Sequence, residues 1–65
     1  MNISELKETE SKEYQYLSDK YTFIFTVVSV NKNRVFIILE ENSQITQIST
    51  TEMINGFKNK LLTEI

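Results

Sequence analysis

The sequence predicts a small α+β domain: a three-stranded antiparallel sheet with a C-terminal helix packed on one face and a helix at the N-terminus, in the order (α)βββα. Three observations predict it. Tyr21–Leu39, YTFIFTVVSVNKNRVFIIL, is two runs of β-branched and aromatic residues around a short polar break, and such residues fit a pleated surface. Gln44–Ser49 is a short, mixed polar stretch that suits the edge of a sheet. Ser49-Thr50-Thr51-Glu52 matches the S-x-x-E capping box ahead of apolar residues at helical spacing.

Taken in order, Met1–Asp19 is rich in Glu, Lys and Leu, which favour a helix. Asn2 or Ser4 can cap it, and acids in its first turn suit the helix dipole. Ile3, Leu6, Tyr14 and Leu17 fall roughly on one helical face, but a polar gap separates the two pairs. The other reading is a loosely ordered start over residues 1–12 and then a short strand, because Glu13-Tyr14-Gln15-Tyr16 alternates with period two. Ser18-Asp19-Lys20 supplies a turn into the first secure strand.

The hairpin follows. Asn31 and Asn33 in its polar break tolerate the left-handed backbone that a tight turn needs. A two- or four-residue loop puts Tyr21, Phe23, Phe25, Val27, Phe36 and Ile38 on one face. Thr22, Ile24, Thr26, Val28, Val30, Val35, Ile37 and Leu39 then lie on the other. A three-residue loop with a bulge exchanges the second strand's two sets. Either way both faces are apolar, whereas an antiparallel sheet with one wet face alternates cleanly.

Glu40-Glu41-Asn42-Ser43 reads as a turn and Gln44–Ser49 as the third strand, with Ile45 and Ile48 as its inward-facing candidates. The helix after Ser49 is expected to run to about Thr63, burying Met53, Ile54, Phe57, Leu61 and Ile65, with Leu62 widening the stripe. Gly56 in its middle marks either a tolerated cost or a close approach of helix to sheet.

Sixty-five residues make one domain, residues 1–65, without room for a second core. Folding such a chain buries roughly 4,000 Å² of apolar surface, worth about 100 kcal/mol. Ordering the residues costs about the same. A balance this close is usually tipped by disulfides, metals, regular packing or oligomerisation. The chain has no Cys and no His, which removes disulfides, thiolate sites and imidazole sites. Regular packing and oligomerisation remain. The polar first twenty residues do not resemble a signal peptide, and Tyr21–Val30 is far too short to span a membrane. A cytoplasmic protein without membrane contact is the expectation. Six Lys to one Arg, with abundant Ile and Asn, is usage associated with AT-rich genomes, so a phage or mobile-element origin is the expected style.

Function is read mostly by exclusion. The usual proton shuttle and the strongest nucleophile are missing, and one glycine cannot build a phosphate-cradling loop. The expectation is therefore no enzyme, no cofactor and no metal. Glu40 and Glu41 with Asp19 can be imagined around a hard cation, but a solvated turn explains them more simply. Glu5, Glu8, Glu10 and Glu13 can likewise be imagined as a phosphate mimic, where a solvated helix face suffices.

Net charge is −2, with Lys20–Leu39 carrying three bases and no acid between acidic flanks. Lys20, Lys32 and Arg34 with Tyr21, Phe23, Phe25 and Phe36 suggest a small nucleic-acid-binding hairpin as the second reading. The acidic flanks oppose it. The first reading is a non-catalytic protein-binding regulator or inhibitor that forms a homodimer. Ile24, Val28, Val30 and Ile37 are its expected apolar contact, and Lys32 and Arg34 at the hairpin tip are set for a second protein partner.

Overall fold

The computed structural model describes residues 1–65. Along the chain the elements are α1 (Ile3–Lys7), β1 (Glu13–Leu17), β2 (Thr22–Val30), β3 (Arg34–Leu39), β4 (Ile45–Ser49), α2 (Thr50–Lys58) and β5 (Leu62–Glu64). The α+β class and the central hairpin stand. The sheet, however, has five antiparallel strands in the order β4-β3-β2-β1-β5, not three. The two additional strands come from segments read as helix, and each conversion has a local cause.

At the N-terminus only one short helix forms. Asn2 caps it, accepting from the Glu5 N–H at 2.9 Å, while the Glu5 carboxylate accepts from the Asn2 N–H in return. The polar gap then ends it, and Ser11 turns the chain in the left-handed region with φ 69°. Glu13–Leu17 follows its period-two pattern as β1, with Tyr14 paired to Phe25 and Tyr16 to Phe23. Of the expected apolar set Leu6 and Tyr14 are buried, on two different elements, whereas Ile3 is only half-buried and Leu17 is exposed.

At the C-terminus α2 starts where expected, with the Ser49 hydroxyl accepting from the Glu52 N–H at 3.1 Å, though the return bond of a full capping box does not form. It stops at Lys58 rather than near Thr63. Lys60 enters the left-handed region at φ 60°. The Leu61 N–H then donates to the Gly56 carbonyl at 2.9 Å and the Lys60 N–H to Phe57 at 3.1 Å, which is the Schellman pattern of helix termination. Leu62–Glu64 leaves as a strand and pairs with the free edge of β1. Gly56 is the point of close approach. A Cβ there would sit 3.0 Å from the Leu62 Cδ1.

The decisive irregularity lies inside β2. Val27 pairs with Ile37, but Ser29 pairs with Phe36, so Val28 is an extra residue in a β-bulge. The bulge moves Val30 onto the face of Val27 and sets Phe25, Val27 and Val30 beside Leu39, Ile37 and Val35. Beyond the end of β1, residues 10–12 edge the second half of β2. The Ser11 N–H donates to the Val27 carbonyl at 2.8 Å, the Val27 N–H to Lys12 at 3.0 Å, and the Val30 N–H to the Glu10 carboxylate at 2.8 Å.

One core results: Leu6, Tyr14, Phe25, Val27, Val30, Val35, Ile37 and Met53. Leu6 of α1 and Met53 of α2 share it, and Phe57 of α2 meets Tyr14 edge-on at 5.3 Å. Both helices therefore lie on the same side of the sheet. No helix is long and apolar enough to cross a membrane.

Candidate interaction surfaces

Because the two helices share a side, the opposite face of the sheet has no layer over it. Its middle is built by alternation along three adjacent strands. Ile24 and Thr26 stand on β2, Phe36 and Ile38 on β3, and Ile45 and Gln47 on β4. Ile24, Phe36 and Ile38 are half-buried by their neighbours within the sheet, and Ile45 near the edge is 66 % exposed.

The bulge decides which expected contact residues are here. Ile24 is on the uncovered face, and Val28, the bulge residue itself, is 43 % exposed. Val30 and Ile37 are not available: they are 5 % and 1 % exposed and form part of the core. Phe36 and Ile38 take their place. A reading that assumes unbroken alternation through Thr22–Val30 puts Val30 with Ile24, and the extra residue at Val28 reverses that parity. Ile45 is likewise outward rather than inward, and Ile48 alone of the β4 pair packs against the core.

The hairpin tip is rigidly braced. Asn31 and Asn33 both avoid the left-handed region. Instead the Asn31 side-chain oxygen accepts from the Asn33 and Arg34 N–H groups at 3.0 and 2.8 Å, an Asx turn that replaces left-handed geometry. Thr50, the first residue of α2, donates its N–H to the Asn33 carbonyl and its hydroxyl to the Asn31 carbonyl, each at 3.0 Å. Lys32 projects from this tip, exposed. Arg34 lies along the uncovered face, its guanidinium donating to the Gln47 side-chain oxygen. Lys20 is in the β1–β2 turn at the far end of the nine-residue β2, so the three bases of the central segment do not cluster.

The aromatic residues also divide. Phe25 is buried, Phe36 is on the uncovered face, and Tyr16, Tyr21 and Phe23 form a stack on the helix side with centroids 5.1 to 5.9 Å apart. Of the four aromatics expected to share one platform, only Tyr21 and Phe23 do, joined by Tyr16. The Tyr16–Phe23 stack instead walls a cleft of about 380 Å³ beside α2, with Glu52, Asn55 and Asn59 among its lining residues. Sequence reasoning did not find this cleft, since it depends on β1 joining the sheet. Asp19, Glu40 and Glu41 form no group able to hold a metal ion.

Compared with protein-family models, with curated proteins and with solved structures, the chain gives no match.

Proposed function

We propose that the protein is a non-catalytic protein-binding module, a regulator or inhibitor, whose binding surface is the uncovered sheet face. The observation that carries this reading is the placement of both helices on one side of the sheet, which leaves Ile24, Phe36, Ile38 and Ile45 directed outward. Antiparallel sheets can face water on one side, but that side is then normally polar. A contiguous apolar strip across three strands of a folded protein marks an interaction site. The residues of that site are Ile24, Phe36, Ile38 and Ile45 with Val28 at its margin, and Lys32 and Arg34 stand at its tip end.

A photo-crosslinking side chain at Thr26, which pairs with Ile38 in the middle of the face, tests the reading in extracts of producing cells adjusted to different salt concentrations. Protein adducts are expected from this position, and their yield should barely change between low and high salt, because apolar contacts are not screened. Adducts to nucleic acid that vanish steeply with salt would replace the reading with the nucleic-acid one, and a face that yields no adducts would remove it.

A further inference from the structure

We propose that the occupant of the uncovered face is a second copy of this chain, stacked face to face with its strands antiparallel, so that Arg34 of each copy meets Glu40 of the other. The inference rests on the reading of that face as a binding surface and adds the identity and orientation of what binds.

The argument comes from the register of one strand. Along β3 the residues directed to the uncovered face alternate as Arg34, Phe36 and Ile38. Glu40 extends the series, because its N–H donates to the Ile24 carbonyl at 2.9 Å and so continues the ladder one step beyond the strand. The stripe therefore reads cation, apolar, apolar, anion. Rotating it by 180° about an in-plane axis across the strands at Ile37 maps it onto a complementary stripe. Arg34 then faces Glu40 and Phe36 faces Ile38, at both ends of the contact.

The alternative two-fold axis, parallel to the strands, sets Arg34 on Arg34 and Glu40 on Glu40. Like charges placed opposite one another select against that arrangement. The flanking residues act in the same sense. Lys32 lies beyond Arg34 at the tip, and Glu41 follows Glu40 at the other end. Sheets stack about 10 Å apart, a gap that an Arg and a Glu side chain together span.

Size is compatible with this partner. The molecule's two longer extents are 27 and 24 Å, so the whole face offers at most on the order of 600 Å² per copy and ~1,200 Å² in total, no more than the low end of specific interfaces. A dimer of that size is reversible and depends on concentration. Within one chain Arg34 and Glu40 are about 20 Å apart along the strand, beyond the screening length. A charge exchange between the two positions can therefore restore pairing only between copies.

Sedimentation equilibrium over a hundredfold concentration range, with circular dichroism to verify folding, tests the proposal on the wild type, R34E, E40R, R34E/E40R and I38D. A monomer–dimer equilibrium is expected for the wild type. Each single reversal should weaken it at least tenfold, the double exchange should return it to within about threefold, and I38D should abolish it. A wild type that stays monomeric throughout overturns the second copy as occupant while the protein-binding reading stands. Dimers lost in I38D but indifferent to all three charge variants overturn the orientation and keep the face. Dimers that survive I38D overturn both the proposal and the reading of this face.

Discussion

Glu10 illustrates how one side chain completes the irregular part of the sheet. Strand β1 pairs with β2 only as far as Thr26, so the Val30 N–H has no strand partner on that side. The Glu10 carboxylate accepts it at 2.8 Å in a partly buried position. Glu10→Ala should cost about 1–2 kcal/mol, the usual penalty for a buried donor left without an acceptor. Glu10→Gln keeps an acceptor and should cost less than half of that. Urea unfolding with an unchanged m-value checks both, and an Ala variant as stable as wild type would show that the contact contributes nothing. The bond joins residues 20 apart, so nothing in the local sequence announces it. Asn2 and Ser49 were legible as caps because a cap and its acceptor or donor lie within three residues.

Gly56 and Leu62 show the same contrast between neighbouring elements. Ala at position 56 gains up to about 1 kcal/mol of helix propensity, but its Cβ would press on the Leu62 side chain at 3.0 and 3.3 Å. In the wild-type background the two effects should nearly cancel. In a Leu62→Ala background the obstruction is gone, and Gly56→Ala should stabilise by about 1 kcal/mol. The difference between the two backgrounds, read from paired denaturation curves, is the coupling energy of helix and strand; a zero coupling would mean that the two do not touch.

The hairpin was legible because its strands are rich in β-branched and aromatic residues and its turn is local. The helix end was not. Leu61 and Leu62 continue the apolar stripe at helical spacing, and the stop comes from Lys60 adopting φ 60° without a Gly or Pro to signal it. The bulge at Val28 was equally silent, since Thr22–Val30 contains no glycine. That silence mattered most at the candidate surface: unbroken alternation sets Val30 and Ile37 beside Ile24, and only the alternative with a bulge turns Phe36 and Ile38 to that face.

The C-terminal strand β5 is laid against β1 in the sheet, and this pairing gives the fold a testable response to pH. β5 pairs with β1, setting Tyr14 beside Glu64, and the Tyr14 ring is in the core. Burial pushes the Tyr14 phenol above its ordinary pKa of 10.0, and the Glu64 carboxylate adds to the shift in the same direction. A raised pKa means that, above about pH 10, the unfolded chain has released the tyrosine proton while the folded chain still holds it. The unfolded state then binds fewer protons, so stability falls as pH rises. The fall begins near the unfolded pKa, continues up to the folded one, and then levels off. Below pH 9 the group contributes no slope. Tyr14→Phe should therefore unfold like wild type at neutral pH, apart from a small packing change, and lose less stability than wild type above pH 10. Glu64→Gln should reduce the alkaline loss only in part, since burial is the larger cause. Denaturant midpoints measured from pH 7 to 11.5 on the three proteins separate the contributions, because each variant differs from the wild type at a single ionisable side chain. If Tyr14→Phe follows the wild-type curve throughout, Tyr14 ionises equally well folded and unfolded. Its hydroxyl would then be as well hydrated in the folded sheet as in the unfolded chain, and neither burial nor Glu64 would perturb it.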